Sequence, residues 1–157
     1  MSTTPNESPT ELIQTARSVS AIDRGKLLST LWIAVMFNFL YCDLMALMDS
    51  TLLPQYLAGN VNGINITQGS LLGGAVLMQI PISMIVLSRV LKHRVNRWAN
   101  IAAGSVMTAI QFTTLFVARP TMYYAFFSVI EIACTSFIVW YAWKWRVSTD
   151  HPKPMIR

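Results

Sequence analysis

Glu131 is the residue of this 157-residue chain most able to do chemistry. It is the only charged residue between Thr121 and Trp143, a stretch otherwise apolar or weakly polar. A carboxyl group so placed is costly unless it is protonated, hydrogen-bonded or used to handle a proton or cation. Three amides in other apolar stretches, Asn38, Gln79 and Gln111, each carry donors and an acceptor that can satisfy it. Asp43 is a second acid inside an apolar run, and with Asp49 it makes one end of that run acidic. It reads either as an outer vestibule or cation relay, or more plainly as capping or pairing near a hydrated interface, Arg119 being a candidate partner. Cys42 and Cys134 fall at different depths of different predicted helices, which argues for two buried small apolar residues and against a mutual disulfide. His93 and His151 lie in polar segments. There is no zinc spacing, no paired histidines for haem, no nucleophile constellation and no phosphate-cradling glycine loop. The expectation is a protein that is not an enzyme and holds no metal or cofactor.

The elements that position these residues follow from composition. Hydrophobic residues make up 54% of the chain and charged residues 12%, with a formal net charge of +5. An ordinary soluble domain carries roughly twice that charged fraction, so a soluble enzyme and a disordered basic tail are both disfavoured. Four apolar runs follow a polar tail at 1–26: about 27–48, 68–90, 98–118 and 121–143. Each matches the ~20 residues that cross a ~30 Å hydrocarbon core. The first begins too late and runs too long for a signal peptide. The predicted fold is all-α, a transmembrane four-helix bundle over 27–145, closed by a basic tail at 146–157. Eleven of the twelve Lys and Arg fall before the first run, between the second and third, or after the fourth; Arg119 alone is on the other side. That asymmetry predicts cytoplasmic N- and C-termini and basic residues at anionic lipid headgroups rather than on nucleic acid.

Each predicted helix carries a polar or small-residue stripe expected to turn inward, since such residues hold helices together in lipid. The stripes are Ala34, Asn38, Tyr41 and Met45; Gln68, Ala75, Gln79 and Ser83; Asn100, Gly104, Thr108 and Gln111; and Tyr124, Ser128, Glu131 and Thr135. Asn38, Gln79, Gln111 and Glu131 lie within about 3 Å of the predicted midplane at 1.5 Å per residue, forming one buried polar layer. It reads as a proton, cation or small-ligand site, or as a hydrogen-bond network that sets helix register. Pro81, just past Gln79, removes a backbone hydrogen bond and can kink the second helix. Gly69 and Gly73 form a GxxxG packing face, within the bundle or between copies of a homo-oligomer. Between the first two runs, Leu52, Leu53, Tyr56 and Leu57 predict a short surface helix, and Gly59, Asn60, Asn62 and Gly63 a turn. Ala118-Arg119-Pro120 predicts a tight final connection. The tryptophans, Trp32 excepted, mark helix ends like an interfacial belt.

The stretches Asn38–Asp49, Gly69–Pro81, Leu87–Asn100 and the residues around Glu131 resemble an uncharacterised family of small bacterial membrane proteins with four helices. The architecture is loosely similar to DoxX-like proteins. The resemblance spans about Leu27 to Trp145 and implies a multi-pass bundle in a bacterial inner membrane, with no activity to carry over. The chain does not resemble small multidrug-resistance transporters, which are shorter and carry their key glutamate in the first helix. Two functions stay open: a small transporter or ion-linked protein built on Glu131, or a structural subunit of a membrane complex.

Overall fold

A computed structural model describes residues 8–117 and 121–145, with side chains for all of these except 16–23 and 117. The expected 118–120 connection and the basic tail at 146–157 lie outside the described residues. Four long helices dominate: α1 (Pro9–Met48), α3 (Gln68–Val90), α4 (His93–Val117) and α5 (Met122–Lys144). The short α2 (Leu53–Leu57) and a hairpin of β1 (Asn60–Val61) and β2 (Ile64–Asn65) sit between α1 and α3. Three segments are long and apolar enough to cross a membrane: Arg24–Met48 of α1, α3 and α5.

α1 differs from expectation. The polar segment before Leu27 is not a separate tail, because the helix runs unbroken for 40 residues from Pro9. Ser8 and Glu11 start it with a reciprocal cap, the Ser8 amide donating to Glu11 Oε2 at 2.9 Å and the Glu11 amide to Ser8 Oγ at 3.4 Å, and Pro9 suits the first turn. α3 is capped in the same way by Thr67 and Ser70. It continues through Pro81, which is buried. α4 begins at His93, one turn earlier than the apolar run suggests. In the hairpin, Asn62 and Gly63 both take positive φ, 51° and 83°, the pairing that suits a tight two-residue turn.

α4 packs along α5, and α1 along α3 and α5; α3 meets α4 less closely. The apolar core gathers Leu28, Trp32 and Val35 of α1, Met84 of α3, Met107 of α4 and Ile138 of α5, with Trp145 closing it. These residues lie toward the end of the molecule that carries Arg24, Arg89 and His93, called here the basic end. Toward the opposite, hairpin end, α3 is exposed from Gln68 to Val76. Two glycines set helix spacing. A Cβ on Gly25 would lie 2.6 Å from the Ser88 carbonyl oxygen of α3, and one on Gly104 would lie 2.7 Å from Val139 Cγ2 of α5. Gly69 has only its own Thr67 cap nearby and Gly73 has nothing within 4 Å, so among the described residues the GxxxG face packs against no other helix. Trp32 and Trp145 are buried, whereas Trp98, Trp140 and Trp143 are exposed.

Candidate functional site

α5 carries a ladder of polar side chains, and each rung meets another helix. Tyr124 donates its hydroxyl to Thr114 of α4 at 3.0 Å. Ser128 accepts from Gln111 Nε2 at 2.8 Å. Glu131 Oε1 accepts from Asn38 Nδ2 of α1 at 2.9 Å, and the same amide nitrogen donates to the Phe127 carbonyl at 3.0 Å. The Thr135 and Thr108 hydroxyls are 2.7 Å apart, and Thr135 donates to the Glu131 carbonyl at 2.8 Å. The spacing of three or four residues places all four rungs on one helix face. These bonds tie α5 to α1 and to α4 and help hold the three helices in register.

One atom of this network is left over. Glu131 is 1% exposed, and its Oε2 is buried with no hydrogen-bond partner among the described residues. Glu131 also lines a cavity of about 170 Å³ with Asp43, Gln111, Thr114, Tyr124 and Cys42 among its walls. Water occupies about 30 Å³ per molecule in the liquid, so the space suits several waters or one small hydrated solute. Asp43, an exposed residue, lines the same cavity. The site therefore places a buried carboxyl and an exposed one in the wall of one cavity, whose lining is largely apolar, with Phe39, Leu77, Met78, Met107 and Ile110 beside the polar groups. Among the described residues no three of His, Cys, Asp and Glu come together as a metal cluster. Cys42 and Cys134 are both free thiols.

The structure redistributes the expected layer. Asn38, Gln111 and Glu131 come together, and Asp43, Thr108, Tyr124, Ser128 and Thr135 adjoin them. Gln79 does not. It is exposed on the outer surface of α3, and Leu77 and Met78 line the cavity instead. The inward face of α3 is set by Pro81, Met84 and Ser88, at spacings of three and four residues, and Gln79 lies about 160° from Pro81 by helix geometry. Tyr41 is likewise turned outward, at 55% exposure, because Trp32, Val35 and Cys42 fill the inward face of α1. Ala34 and Met45 share its exposed surface.

A second polar network centres on Asn100 of the α4 stripe and adds Trp32, Ser88 and Asn96, which the stripes do not include. At the basic end Trp32 Nε1 donates to Asn100 Oδ1 at 2.8 Å, Asn100 Nδ2 to Asn96 Oδ1 at 2.6 Å, and Asn96 Nδ2 to the Ser88 carbonyl at 2.6 Å. Arg89 Nε donates to Ser29 Oγ at 2.9 Å, and Ser29 Oγ to the Ile85 carbonyl at 2.7 Å. The Asn96–Asn100 spacing of four was the available signal.

Fold and site together define a class: an all-helical chain, three of its segments suited to cross a membrane, with two acids, Asp43 and Glu131, in the wall of one cavity. The chain belongs to the family of unknown function DUF6326, which it matches over residues 20–151. No curated protein matches it significantly, and no solved structure does.

Proposed function

We propose that this chain is a multi-pass integral membrane protein that conducts a proton or small cation through the Asp43–Glu131 cavity. α4 is the fourth crossing in this reading. Its polar residues Asn96, Asn100 and Gln111 are buried against other helices, while Trp98, Val106, Phe112 and Phe116 face outward. An average along the helix dilutes that apolar surface, but lipid meets only the surface. Both termini are cytoplasmic and the hairpin is on the far side, in keeping with the basic residues. A bacterial inner membrane suits the charge asymmetry.

The observation that carries the reading is the buried Oε2 of Glu131, without a partner among the described residues, in a residue that lines a cavity together with Asp43. Unsatisfied buried polar atoms are few in native folds and mark sites of use or bound water. The test is flux into liposomes of the purified protein, read with an internal pH dye and with cation-sensitive dyes. Glu131→Gln keeps the size and the Asn38 contact but cannot carry the proton or charge, so flux falls to the protein-free rate. Wild-type flux in Glu131→Gln would sink the reading.

The network also favours a second reading, a packing subunit of a membrane complex. Glu131 Oε1 and Gln111 Nε2 each make a bond between helices. No flux from the native protein, with loss of partner capture on Glu131→Leu, would select it.

A further inference from the structure

The basic end holds a second cavity, of about 290 Å³, distinct from the one at Glu131. Its walls include Lys26 of α1, Ser88 and Arg89 at the end of α3, His93 and Asn96 at the start of α4, and Trp145. Arg89 uses Nε on Ser29, and its two terminal nitrogens have no partner among the described residues. A guanidinium fork held by one bond and open at the other face suits two oxygens of a phosphate. His93 is fixed edge-on against Trp145, ring centroids 4.2 Å apart, and Arg24 lies 5.9 Å from the centroid of the same Trp145 ring. Arg97 approaches from α4, donating to the Trp143 carbonyl at 3.3 Å. Among the described side chains the acids lie elsewhere. Asp43, Asp49 and Glu131 are toward the hairpin end, and Glu11 is about 21 Å further along α1, at 1.5 Å per residue. The walls also supply an aromatic ring, and Ser88 and Asn96 are rigid wall residues, the Ser88 hydroxyl being given to Asn100 and the Asn96 amide to the Ser88 carbonyl.

We propose that this cavity binds a phosphate group, and that the phosphate is that of an anionic lipid headgroup. The lipid assignment rests on the membrane reading above, which places the cavity at the cytoplasmic boundary of the hydrocarbon. Basic pockets between helices at that depth match headgroup phosphates in charge and position. Exposed Leu27, Val90 and Val95 flank it on α1, α3 and α4 and offer acyl chains an apolar surface. Bound there, a phosphate ties together the inner ends of three helices.

The test uses the full chain purified in an uncharged detergent, with its thermal midpoint followed as ligand is added. Short-chain phosphatidylglycerol, short-chain phosphatidylcholine and inorganic phosphate are the probes. Phosphatidylglycerol raises the midpoint saturably, and the other two do so far more weakly. Arg89→Gln weakens the apparent affinity about tenfold or more, the order expected for losing one charge-assisted hydrogen bond. His93→Gln, which leaves the Arg89–Ser29 bond intact, weakens it as well and serves if Arg89→Gln does not fold. Arg94→Gln, exposed and outside the cavity, leaves it within about twofold. Inorganic phosphate matching the lipid would overturn the lipid assignment. No response to any anion, or an equal loss in Arg94→Gln, would overturn the site. The measurement is independent of flux through Glu131, and alkaline extraction of membranes checks insertion separately.

Discussion

Glu131 is held from one side only: Asn38 fills one carboxyl oxygen and nothing described fills the other. Its neighbour Gln111 is in the opposite position, with its amide engaged by Ser128 in a buried setting. Gln111→Leu therefore strands the Ser128 hydroxyl and costs about 1–3 kcal/mol. Gln79→Leu removes an exposed amide with no hydrogen bond among the described residues, and stability changes by about 0.5 kcal/mol or less. Thermal midpoints of the two variants in one detergent check the contrast, and equal losses would return Gln79 to the network. His93 adds a pH dependence. Burial, then the charges of Arg24 and Arg97, hold its imidazole below the ordinary 6.5. The unfolded chain then takes up this proton first as pH falls, so the group's contribution is complete above about 6.5 and is lost as pH drops through the lowered value. A midpoint series from neutral to acid pH shows the loss, and His93→Gln flattens that part of the slope.

Helix spacing depends on where a missing side chain meets backbone. At Gly25 the obstacle is the Ser88 carbonyl, which belongs to α3 itself and cannot rotate away. At Gly104 it is the end of the Val139 side chain, with the Thr135 carbonyl oxygen further off at 3.4 Å. Gly25→Ala is therefore the worse substitution, costing about 1–3 kcal/mol as an overpacked contact, and Gly104→Ala the milder. Gly73→Ala meets open space and is tolerated. The same three midpoints rank the helix contacts α1–α3, α4–α5 and the free face of α3, and a reversed order would contradict the packing. The legibility of the inward face also differs by helix. On α4 and α5 the polar residues fall in phase at spacings of three and four, and their stripe was legible. On α1 and α3 the lone Tyr41 and Gln79 misled, because apolar packing by Trp32, Val35, Pro81 and Met84 chose the face.

At the scale of the molecule, the two ends differ in chemistry. One end is basic, built on Arg24, Arg89, His93 and Arg97 around a network of asparagines. The other carries Asp43, in a cavity wall, and Asp49, with the hairpin beyond. Asp49 accepts from the amide and hydroxyl of Thr51 at 2.8 and 2.7 Å and so serves the turn after α1. With four crossings, green fluorescent protein fused after Arg157 is fluorescent in bacterial cells and alkaline phosphatase at the same place is inactive. Phosphatase inserted at Gly63 is active. Active phosphatase at the C-terminus would mean an odd number of crossings between the termini or a reversed insertion.

Sequence alone determined that the chain is helical and apolar in membrane-length runs, because hydropathy is a sum over neighbours along the chain and needs no partner. It also determined the α5 stripe around Glu131, since residues three and four apart share a face whatever the helix packs against. Only the tertiary structure decided which face of α1 and α3 turns inward, that α1 continues back to Pro9, and that Asn96, Ser88 and Trp32 form a second network. These depend on residues far apart in the chain, and in helices that are apolar all round, polarity discriminates weakly between one face and another.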